Sequence, residues 1–450
     1  MTPESALHAP ETGSPPWAQP GITAVADARA LIDTLRSRDT LVLNSADGDI
    51  GYPLTPQTLR SRGQGATIGA SIVAASPPCS DLAEYHRGLG LGPERLYCPR
   101  VLSPGIPLAR LILDDTDLVG RIRSDRVLRR MVIAFKDRTA ELLLERLGLF
   151  PAYCSPSASA YEVANDKLAF TRAGPRYGFE TLSMRTATDA QALDSAFREL
   201  SELYGDGCIL RLPRGAGGSH MCHARSLRAA RRGWERLRRL GQVLVTPYVP
   251  PGLVLRQVST HGIVTPRGFC PLVFTDQLVR KYRYRGGRVT YDWAPEEVAA
   301  VSSSLQAVAS WLRDLGYLGA PAGVDGFLIR CGKGLRFLVL DPNIRMTATM
   351  MPWAVAVTLS EAAGRRFVWQ VESFVIAGRA ITLRWLQQRL GTGLINAARL
   401  EQGGILPSTI ARPRTSPLGV SRLRAILFAQ DADHLAHLRD QVRWLGLLVR

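Results

Sequence analysis

The first third of the chain carries short apolar runs broken by Gly, Pro and polar clusters. TLVLNSADGD (40–49) and GATIGASIVAAS (65–76) have the apolar, turn-bounded character of β-strands. MVIAFKDRTAELLLERLGL (131–149) changes period within one segment, so a strand is expected to lead into an amphipathic helix. Strand and helix alternation of this kind predicts a parallel α/β domain over 25–155. Beyond it, ANDKLAFTRAGPRYGFETL (164–182) reads as a helix stopped at Gly174 and Pro175, then an extended stretch. From 206 to 275 the pattern is β-rich around a basic helix near 225–240, and 295–316 is a second amphipathic helix. GVDGFLI and LRFLVLD form two strands joined by the turn RCGKG. Helical stretches are expected to about 402, a Pro/Gly-rich linker over 403–419, and a last strand and helix within 420–450. No repeat of fixed period interrupts this order.

Composition narrows the class. With 450 residues, 46% hydrophobic and 21% charged, the chain has the length for two or three domains and the balance of a globular protein. No apolar run reaches the roughly 18 residues of a membrane helix. The first residues carry acids and prolines where a signal peptide carries a basic start and an apolar stretch, so a flexible tail over 1–24 and a cytoplasmic protein are expected. Seven scattered cysteines without a C-x-x-C speak against a zinc cluster or a disulfide framework. The pairs His220/His223 and His434/His437 have ligand-like spacing but lack two further ligands nearby. The net charge of +17 is spread along the chain, which suits nucleotides, phosphates or carboxylates more than a nucleic-acid surface. Of the 56 basic residues only Lys136, Lys167, Lys281 and Lys333 are lysine, so a lysine kept against this bias draws notice.

Asp341 and Asn343 stand two apart at the end of an apolar run, where a strand projects both side chains from one face. Asp325, at the edge of the neighbouring strand, adds a third oxygen donor, a set suited to Mg²⁺ with phosphates completing its shell. Arg345 falls on the same face and brings a guanidinium to that platform. Upstream, ILRLPRGAGGSHM runs from a strand into a loop with Gly215, Gly217, Gly218, Ser219 and His220, whose backbone N–H groups can fold over phosphates. DQLVRKYRYRGGRVTYDW interleaves Lys281, Arg283, Arg285 and Arg288 with tyrosines, which reads as a nucleic-acid contact or an exposed basic hairpin, and as a carboxylate or phosphate clamp in the frame of the resemblance given below. No G-x-S-x-G, Walker lysine motif or G-x-G-x-x-G is present.

Taken in order, the DK helix, the glycine-rich loop, VLVTPYVPPG and the strand pair ending D-x-N-x-R resemble the ATP-grasp ligases over about 160–350. The resemblance implies a two-lobed ATP-grasp fold over 156–402, with a lid lobe at about 180–250 and a metal-site lobe at about 251–402. A pre-ATP-grasp α/β domain would precede it and a small C-terminal α/β segment would follow. It further implies ATP and Mg²⁺ as cofactors, with Asp325, Asp341 and Asn343 on the metal. Lys167, Arg211 and the 215–220 lid would meet the phosphates, Thr246, Tyr248 and Val249 the adenine, and Arg345 with Lys281 or Arg283 the acyl phosphate. Aspartate replaces the usual glutamate at 341 and arginine the usual lysine at 211. AYCSPSASAYEVANDK and DPNIRMTATMMP narrow the likeness to pre-ATP-grasp peptide ligases of the pheganomycin type, implying an amide or peptide bond formed in specialised metabolism from a carboxylate and an amine. An ATP-grasp kinase, a carboxylating enzyme or a non-catalytic basic binder would share many of these features, and a homodimer is left open.

Overall fold

The computed structural model describes residues 15–447 except 21, 23–24, 44–66, 75–79, 102, 104–105, 154–155, 215–217, 219, 281, 333, 377–380 and 412–420. The first sheet has five parallel strands, β1 (Thr40–Leu43), β2 (Ser71–Val73), β3 (Arg95–Tyr97), β4 (Arg130–Ile133) and β5 (Phe150–Pro151), in the order β3-β2-β1-β4-β5. Leu41 and Leu43 pack on one face with Leu143 and Leu144, whereas Val42 and Val132 pack on the other with Ile32 and Leu35. Both faces are covered at the central strands β1, β2 and β4, which is why their sequences are mostly apolar, whereas the edge strands β3 and β5 are half-buried or exposed. The strand-to-helix change at 131–149 is realised: Asp137 caps the helix Arg138–Leu147 through Ala140 N at 2.7 Å, and Gly148 closes it in the left-handed region.

A second sheet is antiparallel, β6 (Arg185–Ala187), β7 (Cys208–Arg211), β8 (Cys222–Ala224) and β9 (Val243–Pro247), in the order β6-β9-β7-β8. The helices Ala190–Ser201 and Leu227–Leu237 bury Leu193, Phe197 and Trp234 against it. The third sheet has eight strands: β10 (Val254–Thr265), β11 (Gly268–Arg280), β12 (Arg283–Val289), β13 (Ala320–Cys331), β14 (Gly334–Asn343), β15 (Val368–Ile376), β16 (Gly404–Ala411) and β17 (Ser421–Ala429). They run β14-β13-β10-β11-β12-β15-β17-β16. The helix Pro295–Asp314 packs Val301, Leu305 and Val308 against it in a cluster that also holds Phe274 and Val324. No helix among the described residues is long and apolar enough to cross a membrane.

Four expectations are corrected. The helix Lys167–Tyr177 runs through Gly174 and Pro175 and ends at Gly178, whose φ is +84°, because the Gly174 carbonyl accepts from both Gly178 N and Phe179 N. The 403–419 linker contains a strand: 404–411 is β16, where Ile405, Leu406 and Ile410 are buried against β17. Pro407 is tolerated because β16 lies at the sheet edge and its register shifts between Pro407 and Thr409. The stretch read as helical to 402 contains β15, half of it buried on both faces and therefore without alternation. The tail is anchored in part. Trp17 packs edge-on against Trp353 with ring centres 6.2 Å apart, and the Gln19 side chain accepts from Phe274 N at 2.8 Å.

Candidate active site

Two β-hairpin systems face each other across a cleft of about 1000 Å³, with β7 and β9 on one wall and β10, β13 and β14 on the other. Register decides what meets there. Asp325 of β13 lies directly opposite Asp341 of β14 and opposite Ser259 of β10. Asn343 Nδ2 donates to Asp325 Oδ2 at 2.7 Å, and Ser259 Oγ to Asp325 Oδ1 at 2.5 Å. Arg345 Nη2 donates to Asn343 Oδ1 at 2.5 Å, so the Asp341, Asn343 and Arg345 sequence does fold into one face. Enclosure in the cleft, and next the charge of Asp341, push the Asp325 carboxyl up to about 6, against the hydrogen bonds from Ser259 and Gln277.

Lys167 is buried at the start of its helix, where Asp166 caps Leu168 and Ala169, and its Nζ lies 2.9 Å from Asp341 Oδ1. Burial lowers the Lys167 pKa, and the Asp341 charge opposes that shift. Arg211, at the end of β7, is also buried. Its Nη2 donates to Leu340 O at 3.2 Å, while its Nε has no hydrogen-bond partner among the described residues. Three cations, Lys167, Arg211 and Arg345, thus converge on two carboxylates, Asp325 and Asp341. A buried excess of positive charge with a spare N–H calls for an anion, and oxygen donors on adjacent strands suit a hard cation. These residues fit phosphates and Mg²⁺.

Thr246, Tyr248 and Val249 line the same cleft, beside Leu182, Phe327 and Leu340, which make an apolar slot fit for a flat ring. The Tyr248 N–H is taken by Gly207 O at 3.0 Å, so it does not face a ligand. Gly218 has φ +72°, and a Cβ there would lie 1.7 Å from Tyr282 O. Only glycine fits this contact between the loop after β7 and the β11–β12 turn. His220 is exposed at φ +59°. Gly215, Gly217, Ser219 and Lys281 lie outside the described residues. Arg283 is exposed and does not line the cleft; Arg285 does, because residues two apart on β12 share a side only where the pleat is unbroken and the β11–β12 register shifts between Leu278 and Val279.

Three further residues at the cleft carry no motif in the sequence. Asn165, between two helices, accepts from Ile344 N and Arg345 Nη1, both at 3.0 Å, and donates to Tyr161 O at 2.8 Å and Ile344 O at 2.9 Å. It thereby fixes Arg345, and its only sequence signal is its place next to Asp166 and Lys167. Ser259 holds Asp325. His261 is buried in the cleft wall against Thr347 Oγ1 at 2.7 Å, and burial lowers its pKa to about 3, so the imidazole is neutral.

No protein-family model and no curated protein matches the sequence. Solved structures do match. The chain is similar to N5-carboxyaminoimidazole synthetase from Staphylococcus aureus at 11% identity and TM-score 0.51, over 92% of this chain and 99% of that one. It is similar to phosphoribosylamine–glycine ligase from Thermotoga maritima at 14% identity and TM-score 0.51, over 89% and 96%. The biotin carboxylase domain of the Hydrogenobacter thermophilus 2-oxoglutarate carboxylase, in complex with MgADP, ADP and bicarbonate, matches at 13% identity and TM-score 0.51, over 87% and 86%. The chain has the ATP-grasp fold. The parallel sheet expected in the first part of the chain is present, and the α/β and α+β class expected from the sequence is the one observed.

Proposed function

We propose that the protein is an ATP-dependent, ADP-forming carboxylate–amine ligase that makes an amide or peptide bond through an acyl phosphate, acting on an amino acid or peptide in specialised metabolism. The observation that carries this reading is the meeting of Lys167, Arg211 and Arg345 with Asp325, Asp341 and Asn343 in one enclosed cleft. The fold supports it, as do the ADP and MgADP bound to the Hydrogenobacter domain and the amine and amino acid named for the Thermotoga ligase.

In this mechanism Asp325, Asp341 and Asn343 hold Mg²⁺, which neutralises phosphate charge when bound. Lys167 and the free Nε of Arg211 meet phosphate oxygens, and the Leu182, Val249 and Phe327 slot takes the adenine. A substrate carboxylate oxygen attacks the γ-phosphorus and ADP leaves. Arg345, braced by Asn343 and Asn165, faces the charge that develops on the transferred group. The amine nitrogen then attacks the acyl carbon, phosphate departs with the C–O electron pair, and the nitrogen gives up a proton. The protein positions and neutralises throughout.

Asn165 is a positioning residue in this scheme. Asn165→Ala is expected to lower kcat about a hundredfold with a much smaller change in the KM for ATP, because a displaced guanidinium impairs the reaction more than binding. Asn165→Asp, which keeps an oxygen toward Arg345, should recover part of the loss in steady-state assays. The function itself is tested by screening carboxylate and amine pairs for ADP release with the amide product measured alongside. A pair that yields ADP, phosphate and amide together supports the ligase; ADP release with a phosphorylated or carboxylated product instead contradicts it.

A further inference from the structure

The part of the cleft beyond the metal strands has no role in the nucleotide chemistry, yet it carries a cross-strand row of donors. Arg424 of β17 stands opposite Ser373 of β15 and opposite Thr409 of β16. Gly286 of β12 pairs with Glu372 of β15, and Arg285 and Ser373, the residues next to that pair, both line the cleft. Arg285, Ser373, Arg424 and Thr409 all line the cleft. Arg422 does too, two residues along β17 from Arg424 and thus on the same face. Arg424 is held in place by its Nη2 bond to Ala348 O at 3.0 Å, close to the Asp341–Arg345 strand end.

The acid nearest in sequence register is shared among several cations. Glu372 precedes Ser373 on β15, takes Gln370 Nε2 at 2.6 Å, has Arg443 at 3.8 Å, and also feels the charges of Arg439 and Arg285, so this one carboxylate does not balance the row. Among the described residues neither Arg285 nor Arg422 has a salt bridge. Guanidiniums gathered on one wall repel each other unless an anion lies between them, and their planar forks match carboxylate and phosphate oxygens in pairs. The hydroxyls of Ser373 and Thr409 extend the same donor surface.

We infer that Arg285, Arg422 and Arg424 form a subsite for an anionic group, a carboxylate or phosphate, carried by the substrate in addition to the carboxylate that is activated. The inference rests on the ligase reading for the direction of the substrate, which spans from this row to Arg345. A substrate with one anionic end is then a poor fit, and a doubly anionic amino acid, peptide or phosphorylated acid a good one.

The test is calorimetric titration of inorganic phosphate and of succinate into the full-length protein saturated with MgADP, for wild type and for the double variant Arg285→Gln/Arg422→Gln. At least one probe should bind wild type at millimolar concentration and bind the variant about tenfold or more weakly, a difference of about 1.4 kcal/mol, with MgADP affinity within about twofold. Preference for phosphate identifies a phosphorylated substrate and preference for succinate a polycarboxylate. Equal binding by both proteins, or no binding of either probe to wild type, overturns the subsite. Failure of MgADP to bind either protein counts against the ligase reading instead, and the same titrations without nucleotide still decide the arginine row.

Discussion

Asp341→Asn lowers ADP-forming turnover by about a thousandfold while leaving the protein folded. Two effects add. The proposed metal platform loses one of two carboxylates, and Lys167, buried and 2.9 Å from Asp341 Oδ1, loses that carboxylate charge. The second effect matters because a buried ammonium that loses a neighbouring carboxylate charge is disfavoured and sheds its proton more readily. Asparagine keeps the size and one oxygen, so the β13–β14 pairing of 325 with 341 is retained. Asp325 remains as the anionic ligand, and without the Asp341 charge beside it its carboxyl ionises at lower pH than the value of about 6 in the intact pair. Residual metal affinity is therefore expected, with the Mg²⁺ needed for half-maximal turnover about tenfold higher. Turnover measured across a Mg²⁺ series checks this. A variant that keeps more than about a tenth of wild-type kcat at saturating Mg²⁺ would remove Asp341 from the metal site, given the usual cost of losing such a group.

Arg345→Ala is expected to cost about a hundredfold to a thousandfold in kcat with MgADP affinity almost unchanged. Arg345 touches Asn343 and Asn165 on one side and lines the cleft on the other, so its removal leaves the phosphate-side cations Lys167 and Arg211 in place. Asn165 still accepts from Ile344 N, which keeps the local backbone satisfied. Added guanidinium should restore part of the activity, and Arg345→Lys should not, because an ammonium lacks the planar fork that spans two oxygens. Loss of MgADP binding together with kcat would reassign Arg345 to the nucleotide.

Much of the site was legible because strand parity is a local property. Asp341, Asn343 and Arg345 needed only period two to fall on one face, and Asp325 needed only a tight hairpin to come opposite Asp341. Lys167 stood out against an arginine-rich background, and the structure brings it to the same carboxylate. What failed was parity across a turn. Arg283 and Arg285 differ in which one reaches the cleft because of a register shift on β11–β12 that no local pattern announces. Asn165 was hidden for another reason: its value lies in bonds to residues about 180 positions away. The extent of the large sheet was hidden too. β15 is buried on both faces in its first half, and β16 is punctuated by Gly404 and Pro407, so one resembles helix and the other linker until the edge position of β16 is known.

Transfer of phosphate to a carboxylate inside the Asp325–Asp341 cleft is the central step of the proposed reaction. Once a substrate pair is in hand, the direct measurement is turnover of a carboxylate labelled with ¹⁸O at both oxygens. One label should appear in the inorganic phosphate and the other remain in the amide, with ADP as the nucleotide product. Unlabelled phosphate, or label carried into AMP, would contradict it.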